Sequence, residues 1–457
     1  PGLDPRTGAA AAISRITLYN IYEGLTRIGA DGSVKPSLAT SWTISPDGLV
    51  YTFQLETGVK FHDGSDFDAS DVKYTFEENA AEGSTNKRKG RFTNIASIET
   101  PDAATVILTL KEPRGDFIAQ LGESTAVIVD PDSDGSNATN PVGTGPYKFS
   151  RWIKGDSVRL VAADTYRDPA SIKIKKANFR FINDSAARMA TLLTGDVDMT
   201  LVPHETLGQF KSNDEFVVIE GTTNGETILS TNNKSKALSK LKVRQAIAHA
   251  INRQEIIDGA MFGYGTPIGS HFAPHHPDYV DLTGTYPYDP EKSKALLAEA
   301  GYADGLELSL KLPPVDNYAR SGGQIVASQL EKVGIKIKIE NVDWPKWLDE
   351  VYKKKNYDLS IVSHVEPMDI NIYAREGYYF NYKNETFNKV INEAETAISP
   401  AVRSAKLQEA QRILANDAVN GYLFQLAAVH VTRKGLKGVW KDWHLFSTDL
   451  ARMYWED

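Results

Sequence analysis

The chain has 457 residues, 41% of them hydrophobic and 24% charged, with a formal net charge of −8. That length exceeds one ordinary core and predicts two or three lobes, and the acidic balance excludes a protein that grips nucleic acid through a basic face. No run of about eighteen apolar residues occurs, so no membrane-spanning helix is expected, and the absence of cysteine removes disulfides, thiolate metal sites and cysteine nucleophiles together.

Taken in chain order, "SRITLYNIYEGL" (Ser14–Leu25) predicts a helix ending near Gly24. The turn signal "SPDG" (Ser45–Gly48) leads into "LVYTFQLE" (Leu49–Glu56), whose β-branched and aromatic residues predict a strand. "FHDGSDFDASDVKYTFE" (Phe61–Glu77) sets Asp63, Asp66, Asp68, Asp71 and Glu77 behind His62. It reads as a turn at "HDG" followed by a helix, with Ser70 or Asp71 as cap and Val72 and Phe76 turned to the core. Thr105–Leu110 predicts a strand. Asn140–Ala163 begins as a Gly/Pro loop and continues as two strands around "KGD". Ser185–Val202 predicts a helix closed by Gly195, then a short strand, and "ETILSTNN" predicts another strand. Leu241–Gly263 is amphipathic, one helix or two in succession. Asp289–Tyr302 is a helix with an Asp–Pro start. "LELSLKL" is a strand, "GGQIVASQLEKVG" a helix, "IKIKIENV" a strand with a wet lysine face, and Lys406–Ala418 a late helix. Helices and strands alternate, which argues an α/β fold. No flexible linker appears, so short crossings should join the lobes.

Few motifs survive a template count. An EF-hand counted from Asp66 puts Asp71 where the central glycine belongs. In "SHFAPHHPDY", His271, His275 and His276 are separated or followed by Pro274 and Pro277, which break the helix that would bring them onto one face. A loop with exposed histidines, and no metal site, is the expectation. "GTGPY" (Gly143–Tyr147) lacks the Lys–Ser/Thr ending of a phosphate loop and enters a strand. Neither G-x-S-x-G nor H-E-x-x-H occurs, so no catalytic residue and no cofactor is assigned.

The landmarks in their order resemble the bacterial extracellular solute-binding proteins of family 5, the oligopeptide, dipeptide and nickel type that serve ABC importers. The segments that carry the likeness are "LDPR", "YEGLTRIGADGSVKPSLATSW", "PVGTGPYKFSRW", "AARMATLLTGDVDM", "VRQAIAHAINRQEIIDGAMFG" and "QLEKVGIKIKIENVDWPKW", and it covers essentially the whole length. The resemblance implies a type II (cluster C) periplasmic-binding-protein clamshell of two α/β lobes with an extra small domain on the first. Lobe I would comprise residues 1–40, 148–226 and 426–457, the small domain 41–147, and lobe II 227–425. The hinge crossings would fall near Gly225–Ser230 and Phe424–Ala428. It implies an exported, periplasmic, monomeric receptor whose leader and part of whose first strand are trimmed from this chain. Such a receptor is not an enzyme and binds no nucleic acid. It holds a peptide, opine, sugar-containing solute or related polar metabolite non-covalently in the interlobe cleft and passes it to an inner-membrane permease. The alternatives are a metal or metal-chelate receptor of the nickel type and, behind it, a hydrolase on the same frame.

Ligand-facing residues are carried over one at a time. The loop after "LDP" supplies Thr7, Gly8, Ala9 and Ala10. In "SHVEPMDINIY" (Ser363–Tyr373), His364 stands where peptide-binding relatives have Trp, Glu366 matches their ammonium-binding acid, and Asp369 matches an acid of their "DPD". Tyr373 closes that stretch, and Tyr379, Asn381 and Tyr382 follow it. The carboxylate-binding Arg of dipeptide receptors aligns with Pro313, leaving Arg320 as the nearest candidate. Trp443 and His444 of "WKDWHLF" complete the set.

Overall fold

In the computed structural model, which describes residues 2–8, 11–366 and 369–456, strand Thr105–Leu110 buries every second side chain, Val106, Leu108 and Leu110. This is the alternation that its sequence requires. It lies in a four-stranded antiparallel sheet in the order Ala39–Ile44, Val50–Leu55, Thr105–Leu110, Ile95–Asp102. Helix Ala69–Ala80 joins the same core through Val72 and Phe76. Its cap is neither Ser70 nor Asp71 but Asp68, which is extended (φ −147°) and accepts from the Ser70 N–H at 2.7 Å. Asp71 accepts in turn from the Asp68 N–H at 2.8 Å, so the two acids form a reciprocal capping box. The remaining acids of the stretch also have ordinary partners: Asp63 takes Ser65, Asp66 takes Lys60, and Glu77 stands 4.0 Å from Lys73.

Two compact units divide the chain. One is Pro1–Ile219, Glu395–Ser399 and His430–Asp457, and the other Glu220–Ala394 and Pro400–Val429. The first contains the sheet just described and a second, three-stranded one, Tyr147–Ile153, Ser157–Ala162 and Lys176–Arg180. Its first helix is Ala11–Thr17 and stops well short of the expected Gly24. The reason is local. Tyr19 takes φ 64°, and the Asn20 amide donates to the carbonyls of Ile16 (2.9 Å) and Thr448 (2.7 Å). The chain is therefore turned out of the helix and tied to the C-terminal segment.

"GTGPY" owes its glycines to that turn. The Gly145 N–H donates to Ile21 O at 2.9 Å and the Tyr147 N–H to Asn20 O at 2.8 Å, so two backbones run in contact. His62 holds the loop from the other side. Its Nε2 donates to Gly145 O (2.8 Å) and its Nδ1 accepts from the Gly143 N–H (3.3 Å), an arrangement that only the neutral ring can make. Burial pushes His62 down to about 4. A folded value below the usual 6.5 means stability that is complete above about pH 6.5 and lost as the pH falls through about 4. Denaturant midpoints of the wild type should therefore drop between neutral and mildly acidic pH. His62→Gln, which cannot titrate, should show a shallower drop; equal slopes would show that His62 is not the sensor.

In the second unit the central strands serve two cores at once. Leu229 and Ile361 lie in one hydrophobic cluster with helices Leu241–Ala250, Arg253–Met261 and Gly322–Glu331, while Ile228 and Val362 lie in another with helices Glu385–Thr396 and Pro400–Asn416. Covered faces on both sides bury even the polar residues of these strands, Thr227, Ser230, Thr231 and Ser360. Strand Phe216–Thr231 pairs antiparallel with Leu359–His364, which pairs parallel with Leu306–Leu312, which pairs parallel with Ile335–Asn341. The Leu241–Gly263 segment forms two helices, the second capped by Asn252 on the Glu255 N–H. Arg244 of "VRQAI" donates to the carbonyls of Leu238, Asp417 and Ala418, fastening this helix to the end of Pro400–Asn416. No helix of the described residues is long and apolar enough to cross a membrane.

Candidate functional site

Strand Leu359–His364 lies beside its parallel neighbour Leu306–Leu312 and ends on His364. The carboxyl ends of parallel strands are where open α/β sheets place ligands. Directly across the sheet, Glu226 of Phe216–Thr231 is in register with His364. The turn Asp369–Ala374 returns Asp369 beneath His364, and the loop before residue 272 brings in His271. Four segments thus converge.

The geometry is a chain of contacts centred on Asp369. His271 Nε2 donates to Asp369 Oδ1 at 2.7 Å and His364 Nδ1 to Asp369 Oδ2 at 3.3 Å. The outer nitrogens are held by phenols, Tyr373 Oη at 3.2 Å from His271 Nδ1 and Tyr379 Oη at 3.0 Å from His364 Nε2. Tyr373 Oη also accepts from the Asn420 amide at 3.0 Å. His271 is 0% exposed and Asp369 8%. Burial lowers the His271 pKa against the pull of Asp369, so we read the pair as a neutral imidazole N–H donating to a carboxylate. Burial works against the charge on Asp369 too, but contact with His271 and then His364 holds it below the usual carboxylate range. Glu226 goes the other way. At 4% exposure, burial and then the charge of Asp369 raise its pKa well above normal, and its Oε2 has no hydrogen-bond partner among the described residues.

A second polar group lies in the first unit. The Arg15 guanidinium stacks over Trp443 at 4.3 Å from the ring centroid and faces Phe446 at 5.8 Å. Trp443 also packs on His430 at 4.5 Å. Arg15, Trp443 and His430 all line a cavity of about 560 Å³. Long walls of this cavity are residues 176–180 and 196–201, two strand edges that could also take an extended segment. The Arg15 guanidinium makes no ion pair or side-chain hydrogen bond among the described residues, and burial pushes it down to about 10. Burial, then the charge of Arg15, pushes His430 down to about 3, and its Nε2 has no hydrogen-bond partner among the described residues. A desolvated cation on an aromatic plate, facing open volume, is an anchor for a carboxylate or another planar anion.

The residues expected from sequence are distributed as follows. His364, Asp369, Tyr373 and Tyr379 come together in the second unit. Glu366 is exposed, and the buried carboxylates of this region are Asp369 and Glu226. Asn381 (φ 53°) donates to Asn232 and Tyr382 to Asp417, contacts that hold loops. Arg320 pairs with Asp316 on an exposed turn. Thr7 is exposed and Gly8 half-buried, while Ala9 and Ala10 lie outside the described residues. Trp443 lines the cavity, and His444 packs against Gly32. The expectation of exposed histidines fails: Asp369 and Tyr373 seal His271 from solvent, and His275 and His276 are half-buried; a proline-broken segment can still be buried when another segment covers it. Glu226, Arg15 and His430 were missed. Glu226 had a signal, since alternation puts it on the same strand face as buried Ile228.

Residues 33–385 match the family described as bacterial extracellular solute-binding proteins, family 5 middle. The glutathione-binding protein GsiB of Salmonella paratyphi A is 33% identical over 346 residues, covering 75% of this chain and 67% of that protein. Among solved structures, the binding protein AgaA of A. tumefaciens R10, in complex with agropinic acid, superposes with a TM-score of 0.84 at 27% identity, covering 100% of this chain and 96% of the other. The periplasmic binding protein DppA of Helicobacter pylori, in complex with the peptide STSA, gives the same four values.

Proposed function

The chain belongs to the bacterial extracellular solute-binding proteins of family 5, and from that premise we propose that it is the periplasmic receptor of an ABC importer for a small carboxylate-bearing solute of peptide or opine type. The observation that carries the carboxylate is Arg15, a cation stacked on Trp443 with no ion pair among the described residues. An unpaired, partly desolvated guanidinium is costly unless an anion visits it. Glutathione, agropinic acid and the peptide STSA, the ligands named for the relatives, all present such an anion. The receptor carries out no chemistry on the solute. It works as a monomer and delivers its ligand to membrane permease subunits. We take residues 1–40, 148–226 and 426–457 as its first lobe, 41–147 as the small domain, and 227–425 as the second lobe.

Calorimetric titration with those three ligands tests the reading. The ligand that binds should lose about 10- to 150-fold in affinity on Arg15→Ala, the range of a hydrogen bond to a charged group worth about 1.5–3 kcal/mol. Amidation of its carboxylate should cost the wild type a similar factor and cost Arg15→Ala little more. Equal affinity of the two proteins for the free acid removes Arg15 from the site.

A further inference from the structure

We infer that the second unit holds a divalent transition-metal ion, of the class Zn²⁺, Ni²⁺ or Co²⁺, on His271, His364 and Asp369, with Glu226 as the neighbouring buried acid. The inference does not rest on the Arg15 reading, because it uses residues of the other unit and a different kind of ligand.

Three observations converge. One ligand atom from each of His271, His364 and Asp369 lies within 4.8 Å of the others. His271 and His364 each touch Asp369 directly, at 2.7 Å on Oδ1 and 3.3 Å on Oδ2, so an ion entering among the three would replace two hydrogen bonds with bonds to itself. Imidazole nitrogen with carboxylate oxygen suits zinc, nickel or cobalt rather than magnesium or calcium, which prefer oxygen alone.

The second observation is the outer contact of each ring. Tyr373 holds the far nitrogen of His271 and Tyr379 the far nitrogen of His364. Metal-bound histidines are oriented in this way, by a hydrogen bond on the nitrogen that does not face the ion. On loading, the protons on His271 Nε2 and His364 Nδ1 would leave these atoms, and each ring would instead carry its proton on the outer nitrogen and donate to the phenol oxygen.

The third is the unbalanced acid. Glu226 is buried, one of its oxygens has no hydrogen-bond partner, and no Lys or Arg pairs with it or with Asp369 among the described residues. Two buried acids without a basic side chain do not both ionise unless a positive charge comes from elsewhere. A divalent ion supplies it and relieves the repulsion between them.

The competing account is a closed hydrogen-bond chain, Tyr373–His271–Asp369–His364–Tyr379, complete without metal. Titration of the chelator-treated, dialysed chain with Co²⁺ alone separates the two. The expected result is a set of visible absorption bands that saturate at one ion per chain and are bleached by Zn²⁺. His271→Ala and His364→Ala should each weaken Co²⁺ binding by about 100-fold or more, and Tyr379→Phe by about 10-fold, as loss of an outer contact does. Glu226→Gln removes the neighbouring acid at unchanged side-chain volume and serves where an alanine variant fails to fold; it should bind Co²⁺ more weakly. Absence of the bands together with absence of heat on titration with Zn²⁺ or Ni²⁺ overturns the site. So does binding that is undiminished in Glu226→Gln and in whichever histidine variant retains the wild-type circular dichroism.

Discussion

Glu23→Ala is expected to destabilise the first unit by about 3–5 kcal/mol, the cost of removing one member of a buried ion pair. Glu23 is 2% exposed. Its carboxylate accepts two parallel bonds from Arg167, at 2.8 and 2.7 Å, and a third from the Thr144 hydroxyl at 3.0 Å. The bidentate geometry is the strongest that such a pair can adopt, and removal of the acid leaves a half-buried guanidinium and a buried hydroxyl without partners. One side chain each from "YEGL", from "GTGPY" and from the segment that carries Arg167 therefore builds a single polar knot. Urea unfolding followed by tryptophan fluorescence measures the loss. Glu23→Gln, which keeps acceptor and shape but not charge, should lose less. A change under about 1 kcal/mol for the alanine variant would reduce the knot to the level of a surface pair.

Gly143→Ala should be as damaging or worse, at about 3 kcal/mol or more, because nothing near it can yield. A Cβ on Gly143 would sit 2.2 Å from Ile21 O, and one on Gly145 2.3 Å from Asn20 O. Both obstacles are main chain, and the Gly145 N–H bond to Ile21 O locks the approach. Gly135→Ala is the control, since its Cβ would meet nothing within 4 Å and its φ is not positive. Thermal melts of the three proteins should place Gly135→Ala beside the wild type and Gly143→Ala many degrees below it. A Gly143→Ala melt near that of the wild type would mean that the "GTGPY" loop is not pressed against the Asn20–Ile21 backbone.

The elements most legible in the sequence are those with a strong local period. Thr105–Leu110 and Ser185–Thr194 have the bounds and kind that their patterns predict. The failures come where a long-range contact overrides a local pattern. Ser14–Leu25 reads as one helix, yet the Asn20 side chain is worth more bonded to the C-terminal segment than continuing the helix. Strand Gly421–Arg433, thirteen residues long, was not anticipated, because a strand covered on both faces has no alternation to find. The site follows the same division. His364, Asp369, Tyr373 and Tyr379 were nominated by the segment that they share. Glu226 and His271 were not, because each reaches the cluster from a different part of the chain.

Glu226 and Glu366 show the boundary between the two sources of information. The order of landmarks, the glycine positions and the α/β alternation are written along one dimension, so the sequence alone determines the family and most of the framework. Which carboxylate is buried depends on what covers it, and both faces of this sheet are covered by segments dozens to hundreds of residues away. Only the tertiary packing decides that Glu366 meets solvent while Glu226 is sealed beside His364, and that difference in desolvation makes one acid a surface group and the other a buried acid next to the histidine–aspartate cluster.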